Sequence, residues 1–305
     1  MTQETASAPP DGSTRRPVRE RLAGAPISWG VCEVPGWGYQ LDADTVLAQM
    51  RALGLAATEF GPDGFLATDP RVRAAQLASF GLRAVGGFLP VLLHDAGHDP
   101  LPEVDRFLDA CPATGAGVVV IAAYTGGDGY DGRPRLGEEG WAALLGNLDR
   151  IADRASSRDV VAALHPHVGT MVETGDETER VLAGSRIGLC VDTGHLLVGG
   201  ADPVALSAAH PDRVVHVHLK DVDASRAARV RAGETTFGTA VRDGMFRPLG
   251  QGDVDIETMV RTLEDAGYDG WYVLEQDVVL DGPGDTEAPN ADVRASLDFL
   301  ARVVS

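Results

Sequence analysis

The chain has 305 residues, of which 44% are hydrophobic, and it carries a formal net charge of −19. That length and composition suffice for one large hydrophobic core, whereas a charge this negative disfavours binding to a nucleic-acid backbone. No apolar run approaches the roughly 20 residues that a membrane-spanning helix requires, so neither nucleic acid nor a membrane is an expected partner.

Residues 1–23 are predicted to form a disordered tail. This segment is rich in Ser, Thr, Pro and charged residues, and its arginines are expected to be solvated. It lacks the apolar stretch of a secretory signal. The chain has three widely spaced cysteines, Cys32, Cys111 and Cys190, an odd number that fits a reducing compartment and no disulfide framework. We therefore expect a cytoplasmic protein.

From residue 24 onward, one structural unit recurs along the chain. Each unit has a short apolar run typical of a buried strand, then a polar loop, then apolar residues at the three- and four-residue spacing of a helix. Strands that alternate with helices indicate a parallel sheet, and eight such units predict an α/β fold, a single-domain (β/α)8 TIM barrel over residues 24–305. The alternative, an open doubly wound sheet, lacks its usual Gly-x-Gly-x-x-Gly signature. The predicted strands cover residues 25–30, 55–60, 82–88, 117–124, 160–167, 187–192, 214–219 and 270–275.

One segment, residues 222–253, does not fit the repeating unit. It follows the seventh predicted strand and is long for a connection between a strand and a helix. We expect a loop with a short helix here. Because long loops at this end of a barrel usually carry active-site residues, we expect this one to serve the site.

Polar residues end four consecutive predicted strands. In a barrel strand, alternate side chains face the interior, and active sites lie at the carboxyl ends of the strands. The last inward side chains are His165 or His167 in strand 5, Asp192 in strand 6, His218 in strand 7 and Glu275 in strand 8. Buried carboxylates are costly unless a cation compensates them. These nitrogen and oxygen ligands, without a thiolate, suit Mn²⁺, Co²⁺, Fe²⁺ or Zn²⁺ better than Ca²⁺, and we predict a divalent metal site.

Two other inward residues have a structural interpretation. A single polar residue in a buried strand is more often a hydrogen-bonded core residue than a ligand. His216 lies one layer below His218, and we expect it to be such a core histidine. Cys190 lies one layer below Asp192, and we expect it to be a small core residue.

Several motifs resemble those of a known group of proteins. Three motifs are similar to the last three strands of the xylose-isomerase-like barrel superfamily, which contains sugar isomerases, epimerases and apurinic endonucleases. Three others resemble the inosose (2-keto-myo-inositol) dehydratases within that superfamily. The resemblance covers nearly all of residues 24–302. The first three motifs are VDTGH (191–195), HVHLKD (216–221) and WYVLEQD (271–277), and the others are APISWGVCEVPGWG (25–38), HPHVGTMVET (165–174) and DGMFRPLGQGDVD (243–255).

The resemblance implies a divalent metal, with Mn²⁺ or Co²⁺ as the first choice and Zn²⁺, Fe²⁺ or Mg²⁺ as alternatives. By position, Asp192, His218 and Glu275 match three ligands of the superfamily. The fourth ligand is usually a glutamate in strand 5, where this chain has histidines; His165 is the first candidate and His167 the second. The implied reaction is dehydration of a keto-cyclitol through an enediolate, with the metal as Lewis acid.

Such a reaction needs a base for the proton α to the ketone and an acid for the departing hydroxyl. The candidates are His167, His195 and Lys220. Lys220 follows His218 by two residues and should face the same site, where a metal would lower its pKa. The alternative is an exposed lysine that pairs with Asp221. His195 lies in the loop after strand 6, where it either binds substrate or caps a helix.

Two residues near the predicted barrel mouth are candidates for substrate binding. Glu59, the last inward residue of strand 2, is placed to hydrogen-bond a substrate hydroxyl or to form a salt bridge at the rim. Trp29, at the end of strand 1, either stacks on the apolar face of a cyclitol ring or belongs to the core.

The first hypothesis for function is a metal-dependent hydro-lyase that acts on a keto-cyclitol. The main alternative is a sugar or inosose isomerase or epimerase, because it would use the same metal and base. A catalytically inactive sugar-binding protein is a third hypothesis. A metal-dependent nuclease would need a basic surface, which the net charge of −19 disfavours. The expected partner is a small polyol or keto-sugar, and the resemblance also suggests a homo-oligomer.

Overall fold

In the computed structural model, residues 15–127 and 129–304 are described, and this part of the chain contains eleven strands and eleven α-helices. The strands are β1 (Leu22–Gly24), β2 (Ala57–Thr58), β3 (Arg83–Ala84), β4 (Gly86–Leu92), β5 (Val118–Tyr124), β6 (Val161–Leu164), β7 (Gly188–Asp192), β8 (Val214–Leu219), β9 (Asp221–Val222), β10 (Phe246–Arg247) and β11 (Tyr272–Leu274). The helices are α1 (Ala43–Ala52), α2 (Pro70–Ser79), α3 (Leu101–Thr114), α4 (Glu138–Ser156), α5 (Gly175–Gly184), α6 (Thr193–Val198), α7 (Pro203–Ala209), α8 (Ala224–Arg231), α9 (Phe237–Arg242), α10 (Ile256–Asp265) and α11 (Glu287–Val303).

Nine of these strands form a parallel barrel. Their order around the sheet is β3-β2-β1-β11-β8-β7-β6-β5-β4. Between β3 and β4 lies Val85, whose N–H donates to the carbonyl of Thr58 and whose carbonyl accepts from the N–H of Gly117, both at 3.0 Å. Residues 83–92 therefore act as one barrel strand that closes the sheet. The eight resulting strands confirm the predicted (β/α)8 barrel.

The buried apolar side chains form one large cluster and two small ones. The large cluster joins the helices to the outer face of the sheet. Inside the barrel, Cys190 packs with Val118, Val120 and Ala163, which confirms that it is a small core residue. Within the part of the chain that the structure describes, no helix is long and apolar enough to cross a membrane.

The N-terminal segment is folded over part of the length predicted to be disordered. Val18–Arg21 form a 3-10 helix, and β1 follows directly. The prediction that the arginines of this segment are solvated is wrong for Arg21, which is fully buried. Its guanidinium donates to both carboxylate oxygens of Glu264, at 2.7 and 2.8 Å, and to three backbone carbonyls, so its charge and donors are satisfied. The rest of the predicted tail, residues 1–14, lies outside the described residues.

The first strand lies earlier than predicted. The predicted range, residues 25–30, instead holds a 3-10 helix over Pro26–Trp29, whereas β1 ends at Gly24. Pro26 has no N–H to donate to a neighbouring strand. Gly30 ends the helix with a φ of +78°, a conformation that favours glycine.

The segment after β8 contains more regular structure than the single short helix that was predicted. It holds α8 and α9, and its two ends pair as the antiparallel strands β9 and β10. Asp221, at the start of β9, is fully buried, and its carboxylate accepts hydrogen bonds from backbone N–H groups at 2.8 to 3.1 Å. These bonds hold the returning chain against the barrel mouth. The donors are Val222, Gly250, Gly252 and Val254.

Candidate metal centre and active site

The four predicted metal ligands converge at the carboxyl end of the barrel. Asp192 and His218 are paired in the register of β7 and β8, His165 follows β6, and Glu275 follows β11. Asp192 Oδ2 lies 3.5 Å from His165 Nε2 and 3.5 Å from His218 Nδ1. His218 Nδ1 lies 3.1 Å from Glu275 Oε2. Four strands thus bring two imidazoles and two carboxylates to one buried point.

Hydrogen bonds direct one nitrogen of each imidazole toward these carboxylates. His165 Nδ1 lies 2.8 Å from the carbonyl of Pro166, and His218 Nε2 lies 3.0 Å from Glu59 Oε1. Because carbonyl and carboxylate oxygens only accept, these nitrogens carry protons, and the other nitrogens, His165 Nε2 and His218 Nδ1, face the carboxylates. Burial lowers the pKa of His218, but the neighbouring Cys190, Glu275 and Glu59 raise it well above its usual value, so a metal ion at Nδ1 would replace a proton. A ring nitrogen that faces a carboxylate is stabilised by a cation between them.

Two buried polar atoms at this point have no hydrogen-bond partner, namely Asp192 Oδ2 and His218 Nδ1. Buried polar atoms are normally hydrogen-bonded, so this unpartnered pair fits a bound cation. The donor set of two nitrogens and two carboxylates, with no thiolate, suits a divalent transition metal. His165, Asp192, His218 and Glu275 are therefore the residues that fit a divalent metal ion.

Lys220 is fully buried beside this centre and is not exposed at the strand end. Its Nζ lies 2.8 Å from Glu275 Oε1, 2.7 Å from Asp277 Oδ1 and 3.3 Å from Asp192 Oδ2. The alternative that Lys220 pairs with Asp221 is therefore wrong, because that carboxylate binds backbone N–H groups. Among the protein groups alone, burial lowers the pKa of Lys220, but the surrounding carboxylates raise it well above its usual value; the fall in pKa that a bound metal would cause stays a prediction. Three carboxylates around one ammonium leave excess negative charge, which favours a further cation.

The first turn of α6 fixes the position of Lys220. A Cβ at Gly194 would lie 2.6 to 2.8 Å from three side-chain carbons of Lys220, so glycine is needed to leave room for the lysine. Thr193 Oγ1 accepts from the backbone N–H of Lys220 at 2.8 Å and donates to its carbonyl at 2.6 Å. The Thr-Gly pair after Asp192 therefore holds both the backbone and the alkyl chain of Lys220.

His167 and His195 stack against each other next to the centre. Their ring centroids are 3.7 Å apart and their planes differ by 28°. A ring nitrogen of His195 also lies within 4.8 Å of ligand atoms of His165, Asp192 and Glu275. Burial, with neighbouring positive charges, lowers the pKa of both His167 and His195 well below the usual value, so both rings are neutral.

The hydrogen bonds of this stacked pair indicate different protonated nitrogens. His167 Nδ1 lies 2.7 Å from the carbonyl of Val168, so it carries the proton and leaves Nε2 as an acceptor. His195 Nδ1 accepts from the N–H of Val168 at 3.4 Å, so the proton lies on Nε2, which has no hydrogen-bond partner. The pair therefore offers one acceptor and one donor.

Glu59 lies at the end of β2 and binds two histidines of β8. Its Oε1 accepts from His216 Nε2 at 2.8 Å and from His218 Nε2 at 3.0 Å. His216 is thus confirmed as a hydrogen-bonded core histidine. Glu59 positions the ring of His218 so that Nδ1 faces the metal centre, an arrangement common for metal-binding histidines. It also lines the cavity beside the centre.

Trp29 does not line that cavity. It is fully buried in the 3-10 helix after β1, and its Nε1–H donates to Asn290 Oδ1 at 3.0 Å. The prediction that Trp29 stacks on a cyclitol ring is therefore wrong. Because the chain leaves the sheet at Pro26, this side chain points into the core instead of the barrel mouth.

A cavity of about 240 Å³ opens onto the centre. Its wall includes Asp277 and Tyr130, which sequence reasoning missed. Asp277 follows Glu275 by two residues, so strand alternation could have identified it. Tyr130 lies in the long connection between β5 and α4, and its ring is 4.9 Å from that of His167. Its position depends on how that connection folds, for which the local sequence gives no signal.

The segment between β8 and α10 places aromatic rings next to the centre; that it serves an active site stays a prediction. Phe237 lies 5.6 Å from the ring of His195, with the planes at 23°. The ring of Phe246 lies 5.2 Å from Lys220 Nζ. These rings help to exclude water from the charged groups beneath them.

Comparison with known proteins finds related sequences and similar folds. A model of the family described as xylose isomerase-like TIM barrel matches residues 38–303. The rhizopine catabolism protein MocC of Rhizobium meliloti is 36% identical over 272 residues, which cover 84% of this chain and 81% of the relative. An inosose dehydratase of Geobacillus kaustophilus is 32% identical over 268 residues, or 84% of this chain and 86% of the relative. The crystal structure of IolI with a zinc atom has a similar fold, with a TM-score of 0.65 at 16% sequence identity. The match covers 93% of this chain and 98% of the IolI chain.

Proposed function

Since the chain belongs to the xylose isomerase-like TIM barrel family, we propose that it is a metal-dependent hydro-lyase that dehydrates a keto-cyclitol. The observation that carries the proposal is the convergence of His165, Asp192, His218 and Glu275 around two unpartnered buried polar atoms. The relatives named inosose dehydratase support the substrate class. A cavity of about 240 Å³ suits a small polyhydroxy ketone.

In this proposal, the four converging residues hold the metal, for which Mn²⁺ or Co²⁺ is the first choice. A bound divalent ion would act as a Lewis acid that polarises the ketone and stabilises the enediolate formed when the α-proton leaves. Glu59 keeps His218 Nδ1 pointed at the centre. Lys220, held by Asp277 and Glu275, is a fixed ammonium that stabilises negative charge on the substrate.

In this proposal, the stacked histidines move the two protons. His167 Nε2, a free acceptor that lines the cavity, takes the proton α to the ketone. His195 Nε2–H, a donor without a partner, protonates the departing β-hydroxyl, which leaves as water. The carbon–hydrogen and carbon–oxygen bonds that break leave a carbon–carbon double bond. His167 ends as an imidazolium and His195 as an imidazolate, and transfer of one proton from His167 to His195 restores both neutral rings.

The alternative function is an isomerase or epimerase for an inosose or another keto-sugar. It would use the same metal site and the same base, and it would return a proton to carbon instead of expelling the hydroxyl. The donor at His195 Nε2 is the observation that favours the hydro-lyase.

The test starts with bound metal, measured by elemental analysis of the purified protein. The protein then receives Mn²⁺ or Co²⁺ and scyllo-inosose in deuterated water while proton spectra are recorded. We expect a dehydrated diketone to appear. Glu275→Gln should lose metal and more than about 100-fold in rate, because one ligand no longer carries charge. The matched control Glu139→Gln, at an exposed site on α4, should behave like the wild type.

Exchange of the α-proton, or a new epimer without dehydration, would assign the isomerase or epimerase function instead. If neither metal nor exchange is found, the shared metal site is contradicted.

A further inference from the structure

The cavity has a second end with a different lining from the metal centre. Its wall there is mostly apolar and is formed by Phe60, Pro62, Leu66, Leu89 and Phe107, which we call the side pocket. The charged residues Asp63 and Arg73 also line the cavity. None of these residues has a role in the proposed proton transfers or in metal binding. The two ends belong to one continuous cavity, so a single ligand can occupy both.

The side pocket lies between the ends of β2 and β4 and the helices α2 and α3. The ring of Phe60, directly after β2, is 5.7 Å from that of Phe107 in α3. The guanidinium of Arg73 in α2 lies 4.6 Å from the centroid of Phe60, and its Nε donates to the carbonyl of Ala67 at 2.9 Å. Arg73 therefore forms the edge of the pocket. Leu89 of β4 is only partly buried although it is apolar, because one of its sides faces the cavity.

The side pocket begins directly beside the metal centre. Glu59, which hydrogen-bonds His218, is the residue before Phe60 in the chain. Phe88 connects the two ends, since its ring lies 6.0 Å from that of His165 and it also lines the cavity. A group attached to a ring at the centre can therefore extend into the side pocket.

We propose that the substrate carries an apolar substituent that binds in the side pocket, such as an alkyl ether on one ring hydroxyl. This proposal rests on the proposed function, since the ring itself is taken to lie at the metal centre. A bare polyol would place hydroxyls against Phe60, Leu66 and Phe107, where they would lose water without gaining hydrogen bonds. An alkyl group would gain roughly fourfold in affinity for each CH₂ that it buries there.

The test compares binding of two unreactive probes, scyllo-inositol and its mono-O-propyl ether, to the metal-loaded protein by isothermal titration calorimetry. The six hydroxyls of scyllo-inositol are equivalent, so only one monoether exists and the comparison isolates the substituent. We expect the ether to bind at least about 10-fold more tightly, because three carbons enter an apolar pocket. Equal or weaker binding of the ether, or no detectable binding, would overturn the proposal.

Two variants test whether the side pocket causes the tighter binding of the ether. Leu66→Ala removes part of the pocket wall, and Leu89→Phe fills the pocket; each should reduce the advantage of the ether to less than about threefold and leave the affinity for scyllo-inositol unchanged. Val72→Ala, at a side chain on α2 that is 56% exposed, is the control and should retain the full advantage. An advantage that survives both pocket variants would also overturn the proposal.

The outcomes separate this proposal from the proposed function. Dehydration of scyllo-inosose without tighter binding of the ether would support the proposed reaction and contradict the proposed role of the side pocket. Tighter binding of the ether without any dehydration would support the role of the side pocket and contradict the proposed reaction.

Discussion

At the scale of single residues, the stacked histidines differ in the partners of their Nδ1 atoms. Val168 supplies both partners, since its carbonyl lies 2.7 Å from His167 Nδ1 and its N–H lies 3.4 Å from His195 Nδ1. One ring is thereby left with an acceptor at Nε2 and the other with a donor. In the proposed dehydration, the peptide groups of this single residue distinguish the base, His167, from the acid, His195.

Substitution of the two histidines should separate these transfers. With scyllo-inosose in deuterated water, we expect His167→Gln to slow α-proton exchange and dehydration together by about 100-fold or more, because the base is lost. His195→Gln should retain exchange and lose dehydration by a similar factor, because only the acid is lost. Proton spectra of one reaction report both rates.

His210→Gln is the matched control, because His210 lies away from the cavity and pairs with Glu179 at the surface. If His167→Gln and His195→Gln lose exchange and dehydration to the same extent, the assignment of separate roles is wrong.

At the scale of elements, the connection between β8 and α10 depends on one buried carboxylate. Asp221 binds the backbone where the chain returns through residues 250–254, and Gly252 approaches it so closely that a Cβ there would lie 2.3 Å from its Oδ1. The same connection places Phe237 next to His195 and Phe246 next to Lys220. Loss of the carboxylate should therefore affect both stability and the cover of the site.

We expect Asp221→Ala to lower the free energy of unfolding by about 2–4 kcal/mol, because charge-assisted hydrogen bonds are lost and their backbone donors stay buried. Asp221→Asn should have a smaller effect, since its amide oxygen still accepts. Urea denaturation measures the change, and limited proteolysis should show faster cleavage within residues 222–253. Asp243→Ala, at an exposed position of the same connection, is the control. Equal midpoints for Asp221→Ala and the control would contradict this role.

At the scale of the whole molecule, the first and last barrel strands are joined by a buried ion pair as well as by their register. Arg21 precedes β1, Glu264 lies in the last turn of α10, and the Oη–H of Tyr272 in β11 donates to the same carboxylate at 2.9 Å. The Arg21 side chain is fully buried, whereas that of Glu264 is 26% exposed. This pair ties the N-terminal segment to the end of the barrel opposite the active site.

Removal of one partner should destabilise the barrel without changing the metal site. We expect Arg21→Met to cost about 3–5 kcal/mol in urea denaturation, because the backbone carbonyls and the partly buried carboxylate of Glu264 lose their partner. Arg15→Met should cost less than about 1 kcal/mol, because Arg15 is 40% exposed and lies 3.8 Å from the same carboxylate. Metal content of the folded protein should be unchanged in both variants. A loss for Arg21→Met as small as that for Arg15→Met would show that the pair does not fasten the barrel.

Much of the fold and the residues of the candidate centre could be predicted because they follow from local periodicity. Apolar runs alternate with helical spacing along the chain, and the parity of strand residues alone places Asp192, His218 and Glu275 on inward faces. The prediction of strand 1 was wrong where backbone chemistry interrupts this period. Pro26 turns the chain out of the sheet, so that Trp29 lies in the core.

The sequence by itself determined the barrel, the strand ends at its mouth and the candidate ligand types, since each depends on residues close together in the chain. Only the tertiary structure decided which charged and polar groups pair with one another. Lys220 is surrounded by three carboxylates from two other strands, Arg21 is buried against Glu264, and Val168 sets the protonated nitrogens of two histidines. Burial and hydrogen bonding between distant segments fix these partners and the pKa of each group, and no local pattern carries that information.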